Sequence, residues 1–147
     1  MSLQGQTALI TGGGKNLGAQ IAREIADEGV NLALHYNSPT SKDETVRFRD
    51  ELVAAHPKIT ISIHAGDLTT GAAVEKLFKD AVTVHGQLNI VINTVGMVLK
   101  KPMTEVSEAE YDMMFAWVFL PFCFPRCLPK IRKVDRACLV STPKQPS

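Results

Sequence analysis

Two hydrophobic patterns alternate along most of the chain. Compact apolar runs, "TALIT" at residues 7–11, "NLALHY" at 31–36, "ITISIHAGD" at 59–67 and "LNIVIN" at 88–93, read as strands. The segments between them carry helical spacing. "NLGAQIAREIADEG" places Leu17, Ile21 and Ile25 on one stripe and ends at Gly29, a C-terminal cap. "SKDETVRFRDELVAAHP" opens with Ser41 and Glu44 spaced as a capping box, aligns Phe48, Leu52 and Ala55, and is stopped by Pro57. "GAAVEKLFKDAVTVHG" repeats Ala73, Val74, Leu77, Phe78, Ala81 and Val82 at helical spacing and closes on Gly86. A second capping box, Ser107 with Glu110, opens a helix at "SEAEYDMMFAW".

The run "LNIVIN" is too continuous for a half-exposed sheet and suits a strand buried on both faces. Strands alternating with helices at this spacing require crossover connections, which are right-handed and build a parallel sheet covered on both sides. The expected class is α/β, a doubly wound parallel sheet of about four to five strands, incomplete as it stands.

Beyond about residue 116 the pattern changes. The last 31 residues hold all three cysteines, the single Trp and five of the eight prolines, while no glycine lies beyond Gly96. Pro121, Pro125 and Pro129 are spaced four apart, and each removes a backbone donor and crowds the preceding turn, so no ordinary helix is expected there. "ACLVS" is a candidate fifth strand. The expected division is therefore a part of alternating strands and helices over residues 1–116 and a tail of atypical composition over 117–147.

Composition changes this picture little. A chain of 147 residues with 45% hydrophobic content can bury one core. Sixteen basic against 15 acidic residues leave a net charge of +1, which argues against nucleic acid or an anionic membrane as partner. The total hides an asymmetry: residues 1–116 hold 10 basic and 14 acidic side chains, residues 117–147 six and one. The start "MSLQGQTALITGG" lacks the features of an export signal and no segment is long and apolar enough for a membrane span, so a cytoplasmic location is expected. Three cysteines do not suggest a disulfide framework, and Cys123 with Cys127 lack companions for a metal site.

The candidate chemistry lies in "TGGGKNLG", residues 11–18. Glycines leading from a strand into a helix let backbone approach an anion, and the helix N-terminus favours negative charge, so the implied ligand is phosphorylated. A P-loop would need Gly where Leu9 stands and Ser or Thr in place of Asn16. The pattern GxGxxG is not met cleanly either, because position 17 is Leu.

The residues resemble the short-chain dehydrogenases/reductases, whose first turn reads Thr-Gly-x-x-x-Gly-x-Gly. Thr11, Gly12 and Gly18 match, and Asn16 stands for the middle glycine, a replacement that tolerates positive φ. "AGDL" with Asp67 and "NTVG", residues 93–96, extend the resemblance over residues 5 to about 116. It implies a Rossmann-like fold and a cofactor set of Thr11, Gly12, Gly14, Lys15, Asn16, Leu17 and Gly18 from the first turn. Tyr36, Asn37 and Ser38 would follow the second strand, Asp67 and Leu68 the third, and Asn93, Val95 and Gly96 the fourth. "HYNS" offers no carboxylate for a ribose 2′-hydroxyl, whereas Lys15 resembles the basic residue of NADP-dependent members, so NADP(H) is expected over NAD(H). The implied activity is oxidoreduction of a ketone or alcohol on a small molecule.

That activity in this family uses a Tyr with a Lys four residues on, because a free phenol of pKa about 10 needs a neighbouring cation to work near neutrality. Here Thr40 and Phe115 stand four residues beyond Tyr36 and Tyr111, Val118 or a neighbour occupies the place of the family's helix Asn, and Ser141 matches the substrate-orienting Ser only loosely. No catalytic residue is assigned, and very low or no activity is expected. The elements that complete the family's sheet and its homo-oligomer interface are also expected to be missing, as if the coding frame left the family near residue 116. Alternatively the chain is a non-catalytic dinucleotide-binding remnant, or a partner of a full-length paralogue.

Overall fold

The computed structural model describes residues 2–96, 99–123 and 136–139, and among these the side chains up to residue 116. Five parallel strands form one sheet in the order β3-β2-β1-β4-β5: β1 (Thr7–Thr11), β2 (Asn31–Tyr36), β3 (Ile61–Ala65), β4 (Ile90–Asn93) and β5 (Arg136–Leu139). The order reverses direction at β1, where the chain crosses from the β2 side to the β4 side. The helices are α1 (Asn16–Asp27), α2 (Pro39–Ala55), α3 (Gly71–His85) and α4 (Glu108–Cys123), with a 3-10 turn over Met103–Glu105.

The strand pleat sends alternate side chains to two cores. Ala8, Ile10, Leu32, Leu34, Ile90 and Ile92 pack with α1 and α2, whereas Leu9, Ala33 and Val91 pack with Val74, Leu77, Phe78 and Ala81 of α3. Every residue of β1 and β4 is buried, as their continuous apolar runs require. Fully burying one of these Leu or Phe side chains contributes about 1.5–3 kcal/mol.

The structure corrects the sequence reading at four points. The face of α1 that meets the sheet is Gly18, Ala19, Ala22 and Ala26, while Leu17, Ile21 and Ile25 are half-buried on its flank, because small residues let the helix axis approach the strands. Helix α2 begins at Pro39, not at Ser41, since a proline preset for helical φ occupies its first position and the extended Ser38 caps it, accepting from the Ser41 amide at 3.3 Å. Ala55 in its last turn is exposed, although Phe48 and Leu52 are buried. Helix α4 continues past Pro121 to Cys123; so close to a helix end, a proline costs one ladder hydrogen bond without abolishing the last turn.

The other punctuation agrees with expectation. Gly29 and Gly86 close α1 and α3 in the left-handed region at φ +78° and +75°. The Ser107 capping box is formed: the Glu110 carboxylate accepts from the Ser107 amide at 2.8 Å and the Ser107 hydroxyl accepts from the Glu110 amide at 3.3 Å. Strand β5 pairs with β4 within the "ACLVS" region. Cys127, Pro125, Pro129 and Ser141 lie outside the described residues.

Candidate dinucleotide site

Parallel strands bring their C-terminal ends to one edge of the sheet, so the segments following β1, β2, β3 and β4 meet there. The sequence-derived cofactor candidates all fall on the last residues of these strands or on the four segments that follow them. They sit where the strand order reverses, the place at which open α/β sheets leave a crevice for ligands.

The first turn has a separate steric reason at each small residue. Gly12 and Asn16 occupy the left-handed region at φ +61° and +49°, and Asn16 is the sole non-glycine there among the described residues. A Cβ on Gly18 would lie 2.3 Å from the Gly12 carbonyl oxygen, so the turn closes only on glycine. A Cβ on Gly14 would lie 2.7 Å from the Thr45 Cα, so α2 itself presses on the turn. Packing against α2 thus demands glycine at 14.

Helices α2, α3 and α4 are each capped by a side chain, Ser38, Thr70 and Ser107 respectively, but among the described residues no side chain caps α1. The first amides of a helix have no partner within it. At α1 they, together with the positive end of the helix dipole, are left to whatever enters the crevice.

Thr11 and Asn93 join the strand ends beneath the turn. The buried Thr11 hydroxyl donates to the Asn93 carboxamide oxygen and accepts from the Thr94 amide at 3.0 Å, while the Thr94 hydroxyl donates to the Thr11 carbonyl at 2.5 Å. Their role is to position β1 against β4. Val95 and Gly96 follow, half-buried and buried, and a Cβ on Gly12 would lie 3.1 Å from the Val95 side chain.

On the β2 side, Tyr36 is half-buried and Asn37 exposed. The Ser38 hydroxyl lies 2.5 Å from that of Ser41. Asp67 is exposed, and its carboxylate accepts from the Thr69 amide and hydroxyl at 3.0 and 2.7 Å, which lowers its pKa below the ordinary carboxylate value. Leu68 is fully buried in the α3 core and offers the crevice no side chain. Lys15 is 3.9 Å from Glu44, the α2 residue first assigned to a capping box. Both side chains are more than a third exposed, so this pair is worth little by itself.

Sequence reasoning missed His35. It is buried at the end of β2, contacts Gly12 and Gly66, and its pKa is lowered from 6.5 to about 4, chiefly by burial. Its position in an apolar strand gave no signal beyond a polar letter within "NLALHY".

The family model for short chain dehydrogenase matches residues 6–124. The chain belongs to the short-chain dehydrogenase family. Its curated relatives include the hydroxynaphthalene reductase-like protein Arp2 of Metarhizium anisopliae, 37% identical over 114 residues, and elsinochrome reductase 1 of Elsinoe fawcettii, 35% identical over 115. Each match covers 78% of this chain and 41% of the relative, so this chain spans less than half the length of those proteins. Among solved structures it is similar to a dehydrogenase of Burkholderia cenocepacia with bound NADP, at 46% identity and a TM-score of 0.75 over 85% of this chain and 47% of that one. A blue fluorescent protein from a metagenomic library, in complex with NADPH, gives a TM-score of 0.75 at 26% identity, covering 86% of this chain and 52% of its own.

Among the described residues no helix is long and apolar enough to cross a membrane, and no group of three or more His, Cys, Asp or Glu side chains is arranged to hold a metal ion.

Proposed function

We propose that this chain is an NADP(H)-binding short-chain oxidoreductase of the kind that acts on a ketone or alcohol of a small molecule, with very low or no turnover in this form. The observation that carries the binding half is the uncapped N-terminus of α1 behind a turn held open by Gly12, Asn16 and Gly18. Such a cradle fits a pyrophosphate, and the chemistry of the surrounding residues fits the rest of a dinucleotide. The relatives with NADP or NADPH in their structures support the same choice.

The turn amides would take the pyrophosphate charge. Lys15, Asn37 and Ser38 would meet a 2′-phosphate: Ser41 can donate to Ser38, which leaves the Ser38 O–H free to donate outward. Asp67 stands on the adenine side and Asn93 to Gly96 on the opposite side of the first turn. The bound cofactor supplies the hydride; the chain's own contribution is to bind and orient it.

Low turnover follows from the residues. Neither tyrosine is followed four positions later by Lys, so no cation is placed by that motif to bring a phenol into a useful pKa range. This favours, as a second reading, a dinucleotide-binding protein without chemistry, or a partner of a full-length paralogue. Absorbance at 340 nm with NADPH and a diketone or quinone tests the proposal: it predicts saturable NADPH binding with turnover near background. Rates of about 1 per second or more would contradict the low-turnover claim.

A further inference from the structure

His35 connects two parts of the crevice through backbone groups alone. Its Nε2 lies 2.8 Å from the Gly66 carbonyl, which can only accept, so Nε2 carries the proton and donates. The Gly12 amide, which can only donate, gives its hydrogen to Nδ1 at 3.3 Å, so Nδ1 keeps its lone pair. These two partners specify one neutral tautomer. The His35 carbonyl also accepts from the Gly13 amide at 3.2 Å. One residue thus fixes two consecutive amides of the glycine turn and the residue immediately before Asp67.

We propose that His35 is a positioning residue for the coenzyme, setting the glycine turn in register with the Asp67 turn so that the pyrophosphate and adenine ends of one dinucleotide are met together. The inference rests on the dinucleotide reading above. The base of the turn is tethered to β2 through the Gly12 and Gly13 amides, while the α1 amides a few residues on remain directed at the ligand. A side chain that filled the space but lacked the acceptor would take from the half-buried Gly12 amide the partner that fixes the turn. The neutral state is set chiefly by burial, against which the hydrogen bond to the Gly66 carbonyl pulls the other way; His64 on β3 adds to the effect of burial and Asp67 opposes it more weakly.

The test compares the full chain with His35→Asn, which retains an acceptor near the Nδ1 position, and His35→Leu, which removes both contacts. NADPH affinity is read by fluorescence titration, fold by thermal unfolding, and the tether by hydrogen exchange at the Gly12 amide. His35→Leu should bind NADPH at least about tenfold more weakly and exchange Gly12 faster, with His35→Asn recovering most of both. NADPH binding unaffected in His35→Leu, or as weak in His35→Asn as in His35→Leu, overturns the role alone. If His35→Leu does not fold, His35→Asn and the wild-type protection of Gly12 decide: near wild-type affinity with a protected Gly12 supports the role, and an unprotected Gly12 overturns it. Absence of saturable NADPH binding by the wild-type chain, with Gly12 protected, overturns the coenzyme reading and this role with it.

Discussion

The Thr11 hydroxyl and the Asn93 carboxamide lie 82 positions apart in sequence and share a hydrogen bond at the buried ends of β1 and β4. The same hydroxyl accepts from the Thr94 amide, so it satisfies a donor and an acceptor at once. Thr11→Val keeps the shape and removes both contacts. It should lower stability by about 1–3 kcal/mol in urea unfolding, with Thr11→Ser close to wild type. An unchanged midpoint in Thr11→Val would show that the strand ends are held by other means.

Asn16 stands where the family pattern has glycine and adopts φ +49°. Asn16→Gly removes the Cβ penalty and should leave stability unchanged or slightly raised, whereas Asn16→Val should cost about 1–3 kcal/mol because a branched side chain is strained in the left-handed region. Equal stability of the two variants would indicate that the turn relaxes out of that conformation.

Glu44 holds a carboxylate 3.9 Å from the Lys15 ammonium, beside the place assigned to the 2′-phosphate. Removing the competing charge by Glu44→Gln should tighten NADPH by about two- to fivefold at low salt, with little effect on NADH. Lys15→Ala should do the reverse, weakening NADPH far more than NADH. Half-molar salt should erase most of the Glu44 effect; a salt-independent change would point to altered packing against the turn.

Acid should destabilise the fold through its histidines. His35 is held at about 4, and burial lowers His64 and His85 below the ordinary 6.5 as well. The unfolded chain therefore takes up protons near pH 6.5 that the folded chain refuses. Stability is full above that pH and falls as pH drops from about 6.5 to about 4, with His35 alone contributing on the order of 3 kcal/mol. Denaturant midpoints across this window should fall in the wild type and fall less in His35→Asn. Parallel curves would assign the acid effect to other groups.

The parts of this fold that were legible in the sequence depend on local chemistry. Unbroken apolar runs gave β1, β2 and β4, because a strand buried on both faces cannot carry exposed polar positions. Asn16 was legible as a glycine substitute because its tolerance of positive φ is a property of the residue. His35 was not, since its partners Gly12 and Gly66 reach it only through the parallel pairing of β2 with β1 and β3. Glu44 was misread because its spacing from Ser41 satisfies a capping pattern, while Pro39, two positions nearer the strand than Ser41, starts the helix first. A packing reason for glycine at 14 was not legible either, because Thr45 meets that position only once α2 is folded against the turn.

The most direct measurement is a parallel titration of the purified chain with NADPH and NADH, followed by nicotinamide fluorescence at one ionic strength. Saturable binding of both, with NADPH tighter by at least about tenfold, is the predicted result. Equal affinities would contradict the assignment of Lys15, Asn37 and Ser38 to a 2′-phosphate, and no saturable binding of either would contradict the dinucleotide site itself.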